Sequence, residues 1–182
     1  MDTRERKNKS KFLSLILRHR PEVIGLQLDK NGWASVDELL GKAYRGHMNL
    51  TLKELKEVVD TNDKKRFAFS DDFTMIRANQ GHSISVDLKL EEKTPPGLLY
   101  HGTAVQNLGS IKGQGLIKGQ RHHVHLSADQ ETALKVGGRH GKPVILTISA
   151  MNMYQSGIKF YQSENGVWLT DHVAVQFISF PK

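Results

Sequence analysis

Arg18-His19-Arg20 places two guanidinium groups around an imidazole, where the apolar spacing of a first helix runs out. A guanidinium is a planar fork that matches two oxygens of a phosphate, so the triplet suits anion capture. The same cations also suit the free carbonyls that end a helix, a purely local use. Lys64-Lys65-Arg66-Phe67 poses the same choice between a solvated basic turn and phosphate contacts. Tyr100-His101-Gly102-Thr103 follows an apolar run. Gly102 would let the backbone approach a ligand closely, and His101 and Thr103 can hydrogen-bond hydroxyl or amide groups. The alternative is a strand-to-helix turn with Thr103 as its N-cap. In Arg121-His122-His123-Val124-His125-Leu126-Ser127, strand alternation would put His123, His125 and Ser127 on one face, which suits a polar, substrate-facing strand.

Three histidines so close together raise metal binding. No carboxylate or cysteine completes a ligand set, and the spacing is not that of common zinc signatures, so no metal is expected. Gly137-Gly138-Arg139-His140-Gly141 is glycine-rich without the G-x-G-x-x-G pattern, and no P-loop occurs. Asp71, Asp72 and Glu164 form no evident acid–base pair. The chain has no cysteine, which excludes disulfides and a thiolate nucleophile. Its 182 residues carry a formal net charge of +7, and a basic surface favours anionic partners. Residues 1–20 concentrate that charge, with Arg4, Arg6, Lys7, Lys9, Lys11, Arg18 and Arg20 against Asp2 and Glu5. An N-terminus without an apolar signal core, and no run of membrane-spanning length, point to a cytoplasmic protein with no membrane partner. A monomer is expected.

These residues need elements to hold them. Phe12, Leu13, Ile16 and Leu17 space the apolar face of a helix over residues 10–18, stopped by Pro21. Ser35 with Glu38, and Thr51 with Glu54, read as capping boxes that open a second and a third helix. Residues 66–69 and 73–76 flank Ser70-Asp71-Asp72 as a β-hairpin, and helices followed by a hairpin suggest a winged helix. Glu91-Glu92-Lys93-Thr94-Pro95-Pro96-Gly97 reads as a boundary, dividing the chain into residues 1–92 and 93–182. The second lobe should hold a strand at 98–100, a helix at 105–111 and a strand at 124–127. A helix capped by Ser127 and Gln130 should follow, then strands at 144–148, 158–161 and 167–170 around Asn165-Gly166, and one long strand over 173–180. The fold class is α+β, with a predominantly antiparallel sheet in the second lobe.

Taken together, the motifs resemble the RNA 2′-phosphotransferase family of the KptA type, and its bacterial members most. The matching strings are Ser10-Lys11-Phe12-Leu13-Ser14, Leu17-Arg18-His19-Arg20-Pro21, Gly32-Trp33, Asp63-Lys64-Lys65-Arg66-Phe67 and Arg77-Ala78-Asn79-Gln80-Gly81-His82-Ser83. They continue with Tyr100-His101-Gly102-Thr103, His123-Val124-His125-Leu126-Ser127 and Asn165-Gly166-Val167-Trp168-Leu169-Thr170. Each string is weak alone; their common order along nearly the whole chain is specific.

The resemblance implies a winged-helix lobe followed by an ADP-ribosyltransferase-like lobe, with NAD as a consumed co-substrate and 2′-phosphorylated RNA, tRNA-like or an oligonucleotide, as the partner. It implies a role in RNA processing of the tRNA-splicing kind. The RNA 2′-phosphate would attack the nicotinamide ribose and expel nicotinamide. Transesterification of the RNA–phospho–ADP-ribose would then yield a 2′-hydroxyl and ADP-ribose 1″,2″-cyclic phosphate. By resemblance the catalytic set is Arg18, His19, Arg66 and Arg121, and His101, Gly102, Thr103, His125 and Ser127 bind NAD. Such a reaction needs positioning more than deprotonation in its first step, and cations around phosphorus in its second. The stretch Asn165–Thr170 lacks the late glutamate of arginine-modifying ADP-ribosyltransferases, which disfavours protein modification. Two other readings stand beside this one: an NAD-dependent enzyme that caps terminal phosphates of RNA or DNA, and a non-catalytic winged-helix DNA-binding regulator.

Overall fold

A computed structural model describes residues 1–46, 48–139 and 141–181. His140, in the glycine-rich stretch noted above, lies outside the described residues. The chain divides into two compact units, Met1–Lys89 and Leu90–Lys182. Among the described residues, no helix is long and apolar enough to cross a membrane.

The first unit opens with α1 (Thr3–Arg18), a longer helix than its apolar spacing suggests. The extension is polar and is started by Asp2, whose side chain accepts from Glu5 N at 2.7 Å. Lys9 is 5% exposed on the inner face of α1. Its ammonium meets Glu5 at 2.8 Å and Glu54 at 2.5 Å. Burial alone would lower the Lys9 pKa; those two carboxylates more than offset it. β1 (Ala34–Ser35) leads into α2 (Val36–Arg45), and Ser35 accepts from Glu38 N at 3.3 Å. Only half of the expected box forms there, because the Glu38 carboxylate turns to Lys42. α3 (Leu52–Asp60) has the full Thr51–Glu54 capping box. β2 (Phe67–Phe69) and β3 (Met75–Ala78) make the expected hairpin, and β1 joins it in the antiparallel order β1-β3-β2. Leu13, Ile16, Leu17, Leu39, Leu55 and Ile76 are fully buried between helices and hairpin. Each such side chain stabilises by about 1.5–3 kcal/mol.

In the second unit β4 (Leu99–Ala104) pairs along its length with β7 (Pro143–Ile148), and β11 (Ile178–Ser179) flanks β7. A second sheet orders β6 (Val124–Leu126), β9 (Trp168–Thr170) and β8 (Tyr161–Gln162). Tyr100 and Ser127 exchange two backbone hydrogen bonds, 2.9 and 2.8 Å, which tie β4 to the end of β6. α4 (Leu108–Gln114) is preceded by a 3-10 turn at Val105–Asn107. β5 (Leu116–Ile117) pairs with β10 (His172–Val173), and every pairing among the described residues is antiparallel. The fold is α+β.

Two expectations for this unit are corrected, and one element is added. The helix after β6, α5 (Gln130–Gly137), is capped by Asp129, which accepts from Thr132 N at 2.7 Å, and not by Ser127, whose backbone is engaged with Tyr100. The long strand over 173–180 is β10, a 3-10 turn at Val175–Phe177, and β11, so each short strand serves a different partner. A helix, α6 (Ala150–Gln155), fills the stretch after β7 that had no assignment.

Candidate active site

Arg18 ends α1, half-buried, with His19 exposed as the cap. The Arg18 guanidinium donates from Nη2 to the Arg66 carbonyl at 3.3 Å and lies 5.7 Å over the Phe67 ring. Ser83 N donates to the Arg18 carbonyl at 2.9 Å, and Ser83 Oγ lies 2.9 Å from His19 Nδ1. Arg66 is half-buried just before β2, and burial lowers its pKa from the usual arginine value while Asp63 opposes the shift. The first unit thus brings together Arg18, His19 and Arg66. Arg20 turns aside to Glu22 at 3.1 Å, an exposed ion pair.

Unit 2 builds its group on β4 and β6. His101 Nδ1 lies 3.0 Å from the His125 carbonyl oxygen. A carbonyl only accepts, so Nδ1 carries the hydrogen and Nε2 presents the lone pair. Burial holds the His101 pKa below its ordinary range, the hydrogen bond to His125 pulls it up, and Arg121 adds to the lowering. Arg121 Nη1 lies 3.1 Å from His125 Nδ1. A guanidinium only donates, so the His125 Nδ1 accepts. His101, His125 and Arg121 therefore form one hydrogen-bonded chain, with the Ser127 backbone bound to Tyr100 beside it. Alternation along β6 holds: Val124 and Leu126 are buried while His125 is half-buried.

Gly102 and Thr103 belong to β4 and do not make a turn. A Cβ at Gly102 would sit 1.6 Å from the Ala133 carbonyl oxygen, and one at Gly137 would sit 2.7 Å from the Thr103 oxygen. The Cβ side of Gly102 is thus packed against the backbone of α5. Thr103 is 7% exposed and accepts from Asn107 Nδ2 at 3.1 Å, so it is neither an N-cap nor an open hydroxyl. His123 leans on Tyr161, ring centroids 5.6 Å apart. Among the described residues, no group of three or more His, Asp or Glu is placed to hold a metal ion.

Ser83 and Asn79 have no role in the sequence reading, although both lie in the Arg77–Ser83 string. His19 and Ser83 are 64 positions apart, and no local spacing rule links them.

The model of the RNA 2′-phosphotransferase, Tpt1 / KptA family, matches residues 4–172, which include every candidate residue above. The chain belongs to the RNA 2′-phosphotransferase family. A protein named probable RNA 2′-phosphotransferase from Escherichia coli O6:K15:H31 (strain 536 / UPEC) is 58% identical over 172 residues, 94% of each chain. The RNA 2′-phosphotransferase of Escherichia coli strain K12 is 57% identical over 172 residues, again 94% of each chain. In this family member the two candidate groups lie one in each unit.

Proposed function

We propose that this chain is an RNA 2′-phosphotransferase that removes the 2′-phosphate from RNA, tRNA-like or an oligonucleotide, with NAD as the consumed co-substrate. The observation that carries the reading is the family match over residues 4–172, reinforced by relatives of that name at 57–58% identity across 94% of both chains.

The local geometry supports the parts. The first unit runs α1, β1, α2, α3, β2, β3, with β1 closing the hairpin sheet; that order supports a winged-helix lobe. The paired antiparallel sheets of unit 2 support an ADP-ribosyltransferase-like lobe. Arg18 and Arg66 would hold the 2′-phosphate, since the Arg18 guanidinium is anchored on the Arg66 main chain. His19 would handle the proton of a ribose hydroxyl at its imidazole, with Ser83 fixing the ring. The donor set of unit 2 fits NAD: the uncharged His101 would offer Nε2 to a sugar hydroxyl, with His125 on β6, Ser127 just after it and the exposed Arg121 before it, hydrogen-bonded to His125. NAD, when bound, supplies an electrophilic ribose carbon and nicotinamide as leaving group. Arg121 would stabilise charge around phosphorus. Gly102 and Thr103 would act indirectly, by keeping β4 against α5.

The test is incubation with an RNA oligonucleotide bearing one internal 2′-phosphate, with and without NAD. Nicotinamide should be released in step with RNA 2′-hydroxyl, and an oligonucleotide without the 2′-phosphate should release none. Nicotinamide release that ignores the 2′-phosphate would overturn the proposal.

A further inference from the structure

Arg66 sits behind an unusual piece of backbone. Lys65 has φ 40°, in the left-handed region that a lysine rarely adopts. Something must hold it there. Lys65 N donates to Asn62 O at 2.7 Å, which closes a turn on one side. On the other side is Asn79, just past the end of β3. Its side-chain Nδ2 donates to the Lys65 carbonyl at 2.7 Å, and its backbone N donates to the Arg66 carbonyl at 2.9 Å. That same Arg66 carbonyl receives Arg18 Nη2 at 3.3 Å. One residue therefore grips two consecutive carbonyls, the second of which is the Arg66 main-chain group that also receives the Arg18 guanidinium. The register explains why it can: Phe67 faces Ala78 across the hairpin, so Arg66 and Asn79 meet as the ladder ends.

Asn79 is 7% exposed, and its Oδ1 is buried with no hydrogen-bond partner among the described residues. A buried amide that satisfies only one of its two ends is a liability for stability, and an apolar side chain of similar shape would avoid it. Its place is better explained by what the satisfied end holds. We infer that Asn79 is a positioning residue: its amide pins Lys65 in the left-handed conformation and so aims the Arg66 guanidinium at the substrate's 2′-phosphate. The inference rests on the proposed function only for the identity of that anion.

The experiment measures binding of two RNA oligonucleotides of one sequence, with and without a single 2′-phosphate, by the full-length protein. The ratio of the two affinities reports whether Arg66 is aimed, and a merely structural loss, which lowers the folded fraction, leaves that ratio unchanged. Asn79→Leu keeps the volume and removes the amide. It should lower the ratio about tenfold, the size of a coupled contact, with little change in thermal stability. The amide's purpose is tested by repeating the change in two backgrounds that remove the same charge, Lys65→Ala and Lys65→Gly. Glycine adopts positive φ without help. The fall in ratio should therefore be about tenfold with alanine at 65 and under about threefold with glycine there. Should Asn79→Leu fail to fold, Asn79→Ala in the same two backgrounds carries the test. Wild-type protein that binds both oligonucleotides equally would overturn the function reading and this inference with it. A wild-type preference kept in Asn79→Leu, or equal falls in both backgrounds, would overturn the positioning role alone.

Discussion

The two units meet burial with opposite results. Burial presses on Arg66 in the first and on His101 in the second, and lowers the pKa of both. A guanidinium begins so far above neutrality that it stays charged. An imidazole begins at 6.5 and becomes a neutral acceptor. Unit 1 therefore offers charge, held at element ends by backbone carbonyls, while unit 2 offers lone pairs set by strand register and a tightly seated helix. On the proposed function, the same physical pressure would serve an anion site in one place and a hydroxyl-recognition site in the other, because the residue types differ. If so, packing changes should ruin unit 2, and charge changes should disable unit 1 while leaving it folded.

The largest effect is expected at Gly102. A Cβ there would overlap the Ala133 carbonyl, and backbone atoms cannot step aside as a flexible side chain can. Gly102→Ala should destabilise unit 2 by about 4 kcal/mol or more, among the exceptional single changes. Hydrogen exchange at the β4 and β7 amides should rise correspondingly; native protection there would mean α5 is not seated as described. Next come the arginines. Arg18→Ala and Arg66→Ala should leave unit 1 folded and slow 2′-hydroxyl formation on the order of 100- to 1000-fold, the usual loss of a charged contact to a developing anion. Nicotinamide release should slow less, so the two products part in time. Arg121→Ala should follow the same pattern if its role is charge, despite its place in unit 2. If all three variants slow both products in equal proportion, the arginines serve binding or folding and the division of labour is wrong.

Which of these features could be read from the sequence follows a physical divide. Local rules found the Thr51 capping box, the hairpin around Ser70-Asp71-Asp72 and the alternation of β6, because each depends on neighbours a few residues apart. Gly102 reads as a place where the backbone meets a ligand; its packing against Ala133 of α5 is a long-range contact that no local spacing shows. Asp129 displaced Ser127 as the cap of α5 because the tie between Tyr100 and Ser127 is a long-range contact. The strand 173–180 alternated properly yet splits, because its two halves pair with β5 and β7 in different sheets. The Ser83–His19 contact was invisible for the same reason.

A smaller effect is expected from salt. If unit 1 is the anion site, affinity for RNA should fall steeply as salt rises, since each phosphate contact releases about one counterion. Replacing Arg18 or Arg66 should flatten that slope by about one contact each. His101→Asn should leave the slope unchanged, because a neutral group releases no counterion. Measured as binding constants from low to high salt, equal slopes in all variants would erase the contrast between charge in unit 1 and lone pairs in unit 2.

The smallest effect concerns protons. The folded pKa of His101 lies below its ordinary value of 6.5, chiefly through burial. Above pH 6.5 both the folded and the unfolded chain carry a neutral imidazole, so the stabilisation linked to this group is fully present. As pH falls below 6.5 the unfolded chain takes up its proton first, and stability drops until the pH passes the folded pKa. The slope from one such group is at most about 1.4 kcal/mol per pH unit. His123 is shifted the same way, again by burial, so the comparison must be made by variant. Glu54 is no confounder: the Lys9 ammonium holds its carboxyl down to about 2, and it stays ionised throughout this window. Urea unfolding at pH 7.5 and pH 5.5 should therefore show a smaller pH-dependent loss in His101→Asn than in wild type, because asparagine can donate to the His125 carbonyl and cannot be protonated. The same change should remove the acceptor that Nε2 offers, weakening NAD binding at both pH values. Equal pH-dependent losses in the two proteins would mean that His101 is not held neutral by the fold, and the contrast with Arg66 would lose its second half.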